Sequence, residues 1–65
     1  MTNSPAITIL HRQRESLQRE LAQNRRASLF ATQNGDFRKV GQLTLQAAQI
    51  NAALIASAAQ EDSLL

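Results

Sequence analysis

The sequence predicts an all-α protein: a two-helix antiparallel hairpin that dimerises into a four-helix bundle. Three observations lead to this prediction. The 65 residues include eleven Ala, nine Leu and eight Gln, which favour helices, and no Cys, Trp or Tyr. The single Pro is residue 5, so the remainder of the chain is free of this helix breaker. Near the middle, Asn34-Gly35-Asp36 supplies the residue types of a tight turn.

The first helix is expected to begin at Ser4-Pro5 and to continue to about Thr32. Ser is a favourable N-cap, and Pro suits the first helical position because its missing N–H would be unpaired there. Gly35 can adopt the left-handed conformation that ends a helix, and Asp36 can cap the next helix. We therefore expect a turn at 33–36.

The second helix is expected to extend from Phe37 to about Gln60. Glu61 and Asp62 bring negative charge to a helix C-terminus, where the dipole favours cations, so residues 61–65 are predicted to form a flexible tail. The chain as a whole, 1–65, is predicted to be a single helical-hairpin domain. Phe30 and Phe37 flank the turn, and they either close that end as a hydrophobic plug or form an exposed anchor for a partner.

Apolar residues recur at alternating spacings of three and four residues, as in a coiled coil. In the first helix this stripe has polar interruptions, and one of them, Arg14, can extend its charge to solvent along its aliphatic stem. We expect the stripes of the two helices to pack together. The stripe of the first helix comprises Leu10, Arg14, Leu17, Leu21, Asn24, Ser28 and Ala31; that of the second comprises Val40, Leu43, Ala47, Ile50, Leu54 and then Ser57 or Ala58.

The second helix carries another apolar stripe, which an isolated hairpin does not need. Chains below roughly 70–80 residues rarely build a sufficient core without disulfides, a metal or oligomerisation. We therefore predict that this stripe is an interface, and that Asn51 beside it fixes the register. The alternative is that Ala simply favours helix and tolerates exposure. The predicted interface comprises Leu45, Ala48, Ala52, Ile55 and Ala59, together with Asn51.

The residue types argue against catalysis. There is no Cys, His11 is the only histidine, and the carboxylates are not paired on one helix face for acid–base work. We expect no enzyme activity, no cofactor, no metal site and no small-molecule substrate. The predicted function is that of a small protein–protein interaction or assembly module, an adaptor or regulator. Its partner is expected to be a second copy of the chain, with a dimer favoured, or another helical protein.

A basic ridge offers a different function. Residues 1–35 carry a net charge of +3, within a total of +2. Arg12, Arg19 and Arg26 recur every seven residues and should form an exposed row that could contact nucleic acid or another anionic partner. The alternative is an ordinary solvated helix face, on which Glu15 is placed to pair with Arg19 four residues later.

The length and the helical-hairpin pattern resemble the Rop family of small plasmid proteins, whose hairpins dimerise into four-helix bundles and bind RNA. That resemblance implies a dimeric RNA- or DNA-binding regulator that uses the arginine row. The two-helix plan is also similar to the small co-chaperones of type III secretion needle subunits, which implies a hairpin folded with an obligate partner. Neither resemblance includes a shared motif, and no family is assigned.

The sequence also predicts a cytoplasmic location. The N-terminal segment MTNSPAITIL has neither the basic region nor the long apolar region of a signal peptide. The most apolar stretch, 43–59, contains Thr44, Gln46, Gln49, Asn51 and Ser57, whereas a spanning helix needs about 20 mostly apolar residues. We therefore expect a soluble protein without membrane association.

Overall fold

The computed structural model describes residues 5–64, which form a helical hairpin. Helix α1 spans Pro5–Gln33 and helix α2 spans Phe37–Leu64. The two helices pack against each other in antiparallel directions along a rod 52 Å long. The prediction of an all-α two-helix hairpin is confirmed. The predicted N-cap, Ser4, lies outside the described residues. Within 5–64, neither helix contains a stretch apolar enough to cross a bilayer.

The turn between the helices follows from Gly35. This residue has a φ of 71°, the left-handed conformation that Gly adopts without steric cost. The Asp36 N–H donates to the Ala31 carbonyl at 2.9 Å, and the Gly35 N–H donates to the Thr32 carbonyl at 3.1 Å. This pair of hydrogen bonds is a Schellman motif, which satisfies carbonyls at the end of α1 that have no partner within the helix.

Asp36 starts α2 as the sequence predicts. Its Oδ1 accepts a hydrogen bond from the Lys39 N–H at 3.2 Å. The Asp36 carbonyl accepts the first intrahelical bond of α2, from the Val40 N–H at 3.1 Å. One residue therefore satisfies a free donor of α2 and places a carboxylate at the positive end of its dipole.

The C-terminal end of α2 differs from the prediction. The sequence placed the helix end near Gln60 and a flexible tail at 61–65, whereas α2 continues to Leu64. The physical reason is that Glu61 lies on the side of α2 that faces α1, where its Oε2 is 2.9 Å from Nη1 of Arg14. This contact offsets the unfavourable interaction of an acidic side chain with the helix dipole.

The predicted stripes form the inner face of each helix. Among residues 5–64, the buried apolar residues are Leu10 and Ala31 of α1 and Leu43 and Ile50 of α2. Ser57, and not Ala58, continues the stripe of α2, since Ser57 is buried and Ala58 is exposed.

The core of this hairpin is thin. Among residues 5–64, no large side chain is completely buried. The accessible surface is 5030 Å², whereas a compact monomer of this mass exposes about 4,100 Å². The rod therefore leaves about 900 Å² more surface in water than a compact fold would.

The aromatic residues at the turn do not form a plug. Phe30 is 69% exposed and Phe37 is 76% exposed. The short turn brings the helix axes together, but neither ring is on the inner face of its helix. The alternative interpretation, an exposed anchor for a partner, requires such exposed rings, and the anchoring role itself stays a prediction.

Candidate interaction surface

The second apolar stripe of α2 lies on the surface that faces away from α1. We refer to it as the outer stripe, and its centre is about 150° around the helix from the centre of the inner face, at 100° per residue. Its two large side chains are the most prominent: Leu45 is 64% exposed and Ile55 is 72% exposed. The stripe comprises Leu45, Ala48, Ala52, Ile55 and Ala59, and all five are exposed.

The three alanines of the outer stripe leave a shallow surface between the two large residues. Ala48 and Ala52 lie between Leu45 and Ile55, and Ala59 follows one turn later. Small side chains allow a second helix to approach to the short end of the usual interaxial range, about 8–10 Å. The geometry is thus suited to close packing by another helix.

Asn51 lies at the edge between the inner face and the outer stripe, and it is exposed. The hydrogen bonds that join α1 to α2 among the described residues do not include it. Its role in fixing the register of an assembly stays a prediction.

Within the hairpin, the asparagine that joins the helices is Asn24. It is 6% exposed. Its Nδ2 donates to the Leu43 carbonyl at 2.8 Å and to Oε1 of Gln46 at 3.2 Å. Because a one-residue shift of either helix would break both bonds, Asn24 specifies how α1 and α2 align. The sequence marked it only as a polar interruption, since periodicity does not reveal which polar atoms meet.

A small polar cluster joins the two helices near the open end of the hairpin, far from the turn. Arg14 donates through Nη1 to Oε2 of Glu61 at 2.9 Å, and Nε2 of His11 is 3.8 Å from the same oxygen. The Glu61 side chain is 15% exposed, whereas the Arg14 side chain is 39% exposed. Arg14 therefore links the two helices, a contact that the sequence interpretation did not include.

Two buried oxygen atoms near this cluster have no hydrogen-bond partner among the described residues. They are Oγ of Ser57 and Oε1 of Glu61. Buried polar atoms without a partner cost roughly 1–3 kcal/mol each. They lower the stability that the inner face can give to an isolated hairpin.

The arginine ridge, Arg12, Arg19 and Arg26, is exposed along α1 on the side opposite α2. Arg19 and Glu15 form the expected i,i+4 pair, with Nη2 and Oε2 3.8 Å apart. Within residues 5–64, Arg12 and Arg26 are not in ion pairs. The ridge and the outer stripe thus occupy opposite sides of the hairpin.

A second apolar patch lies between the helices at the open end. It is a shallow groove that contains the exposed side chains of Ile9 and Leu64. Among residues 5–64, no group of three or more side chains is placed to hold a metal ion.

Comparison with protein-family models, with characterised proteins and with solved structures gives no match to this chain.

Proposed function

We propose that this protein is a small, non-catalytic assembly or adaptor module that associates with a second copy of itself through the outer stripe of α2. The dimer would contain four helices, with the two α2 helices at its centre and one α1 helix on each outer side. This layer is flatter than the four-helix bundle that the sequence predicts. The single observation that carries this proposal is the exposure of Leu45 and Ile55 on one continuous face, turned away from α1.

The thin core supports the same proposal. The hairpin exposes about 900 Å² more than a compact monomer of its mass, and a standard interface buries about 800 Å² on each partner. Two copies that cover one another along α2 would therefore bring the exposed surface per chain close to that of a compact protein. They would also supply the stability that small cores lack.

The test is a charge placed in the outer stripe. Ala52→Glu should convert the dimer to a monomer, because a carboxylate buried against an apolar helix is strongly disfavoured. The matched control is Ala58→Glu, which puts the same charge on an exposed position of the same helix, about 100° around α2 from the centre of the stripe. Sedimentation equilibrium measures both masses. If Ala52→Glu has the mass of the unchanged protein, as Ala58→Glu should, the outer stripe is not the interface.

The alternative is that a different helical protein binds this stripe, as a co-chaperone-like function would require. In that case the isolated chain would be monomeric and poorly folded. Circular dichroism on the same samples distinguishes the two, because a folded dimer is fully helical whereas a chain that depends on another protein is not.

The arginine ridge supports a second candidate function, binding of RNA or DNA. The observation that favours it is that Arg12 and Arg26 are exposed and are not paired with acidic residues of the described chain. Binding to an RNA duplex should weaken steeply with salt, since each phosphate contact releases a counterion. Replacing Arg12, Arg19 and Arg26 by Gln should abolish binding and leave the dimer intact. If the Gln variant binds as tightly, the ridge is only a solvated face.

A further inference from the structure

The outer stripe extends beyond its five apolar residues. The same spacing of three and four residues continues to Gly41 and Arg38 in one direction and to Asp62 in the other, and these three residues are exposed. The extended outer stripe therefore begins with a positive charge and ends with a negative one. In order it comprises Arg38, Gly41, Leu45, Ala48, Ala52, Ile55, Ala59 and Asp62.

The sizes of the side chains along this stripe are symmetric about residue 50, and the charges at its two ends have opposite signs. Positions at equal distances from that point have matching side chains: large with large, small with small, and Arg with Asp. The spacing of three and four residues also reads the same from either end. The matched pairs are Arg38 with Asp62, Gly41 with Ala59, Leu45 with Ile55, and Ala48 with Ala52.

A two-fold axis between two antiparallel helices brings such positions together. In an isologous interface, if one residue contacts another on the second copy, the reverse contact also exists. Two α2 helices that cross antiparallel near residue 50 would therefore place Leu45 against the second copy's Ile55 and Arg38 against its Asp62. A parallel dimer would instead place Arg38 beside Arg38 and Asp62 beside Asp62, with like charges in contact at both ends.

The two terminal charges lack ion-pair partners in the hairpin. Within residues 5–64, neither Arg38 nor Asp62 is in an ion pair. Asp62 is also near the C-terminus of α2, where the helix dipole disfavours an acidic side chain. An arginine from an antiparallel neighbour would offset this unfavourable interaction of Asp62 with the helix dipole. Within the described hairpin, no basic side chain is paired with Asp62.

We propose that the extended outer stripe binds a second copy of this chain in antiparallel orientation, about a two-fold axis near residue 50, with Arg38 of each copy paired to Asp62 of the other. The inference deepens the self-association proposed above and depends on it. The contact runs along about 36 Å of α2 at 1.5 Å per residue. Both α1 helices lie on the outside of this dimer, with their arginine ridges accessible.

The orientation can be measured by cross-linking, because the chain contains no native Cys. Gly41→Cys and Ala59→Cys are made as single variants, and one of them is labelled with ¹⁵N. They are mixed in equal amounts and treated with a short bismaleimide, and the products are weighed by mass spectrometry. In the antiparallel dimer, residue 41 lies opposite residue 59, whereas two copies of residue 41 are about 27 Å apart.

The expected product is a cross-linked dimer that contains one of each variant, with no cross-linking when either variant is treated alone. Cross-links between identical variants would overturn the antiparallel arrangement and leave the proposed self-association standing. A monomeric mass with no cross-linking would overturn both. A dimeric mass with no cross-linking would place the interface elsewhere and also overturn the inference.

Charge exchange gives an independent measurement. Arg38→Glu and Asp62→Arg should each weaken the dimer by about tenfold, since two ion pairs become two like-charge contacts. The double variant should restore the dimerisation constant. Each single substitution improves the interaction of its side chain with the α2 dipole, because it puts an acidic residue near the N-terminus or a basic residue near the C-terminus. A loss of dimer therefore cannot be attributed to a less stable helix. A double variant that remains as weak as the single variants would contradict the pairing.

Discussion

Replacement of Asn24 tests how the two helices are aligned. In Asn24→Ala, the protein loses a buried hydrogen bond to the Leu43 carbonyl and a second, partly buried bond to Gln46. The first contributes about 1 kcal/mol to the free energy of unfolding and the second less, because Gln46 can bond to water. Ala is the better helix former by about 0.5 kcal/mol, which offsets part of the loss.

The matched control is Asn51→Ala. Asn51 is exposed, its replacement by Ala brings the same change in helix propensity, and it is not in the described hydrogen bonds between α1 and α2. The difference between the two variants therefore isolates the contacts of Asn24, and it should be about 1–1.5 kcal/mol. Thermal unfolding followed by circular dichroism measures this, since 1 kcal/mol shifts the Tm of a domain of this size by roughly 4–8 °C.

The reasoning would be refuted if Asn24→Ala and Asn51→Ala had the same Tm. In that case the apolar residues alone would align the helices. Asn51 is also predicted to fix the register of a dimer, and the dependence of stability on protein concentration tests that role. If Asn51 has it, any loss of stability in Asn51→Ala should vary with protein concentration.

Three further predictions use the same unfolding assay. Gly41→Ala should raise the free energy of unfolding by about 0.5–1 kcal/mol, because Ala favours a helix and a Cβ there meets no atom of the hairpin. Gly35→Ala should lower the free energy of unfolding by about 1–2 kcal/mol, because residue 35 has a positive φ. If Gly41→Ala were the destabilising change and Gly35→Ala the stabilising one, the assignment of residue 41 to α2 and residue 35 to the turn would be wrong. Ser57→Ala should raise stability by about 1 kcal/mol, since its buried hydroxyl has no described partner; a decrease would reveal a missing hydrogen bond. Arg14→Ala should cost about 0.5–1 kcal/mol at low salt and less at high salt, because Glu61 loses its 2.9 Å partner; no change would mean that the pair adds nothing.

The hairpin itself could be predicted from local signals. Pro5 near the start, Gly35 in a left-handed conformation and Asp36 as a cap each act within a few residues, so sequence order is sufficient to place them. The heptad spacing also identified the inner faces, since Leu10 and Ile50 are buried where the pattern expects them.

The polar contacts could not be predicted in the same way. Periodicity assigns Asn24 and Arg14 to the inner face, but the partner of each depends on the axial alignment of two long helices. The position of Glu61 opposite Arg14 follows only once that alignment is known, and for this reason the sequence predicts an earlier end of α2 than the structure has. The exposure of Phe37 also depends on the angle at which α2 leaves the turn.

The outer stripe is a case where the sequence and the structure complement one another. The pattern predicted that residues 45–59 carry a second apolar face. The hairpin leaves that face uncovered, because α1 can pack against only one side of α2. What covers it is the central question about this protein.

The most direct measurement is the mass of the unchanged chain in solution, determined by light scattering across a wide range of concentrations. Self-association through α2 predicts a species of twice the 7.1 kDa chain mass, which dissociates and loses helical signal on dilution. A fully helical particle of 7.1 kDa at every concentration would contradict the account, because the thin inner face would then be stable without a partner.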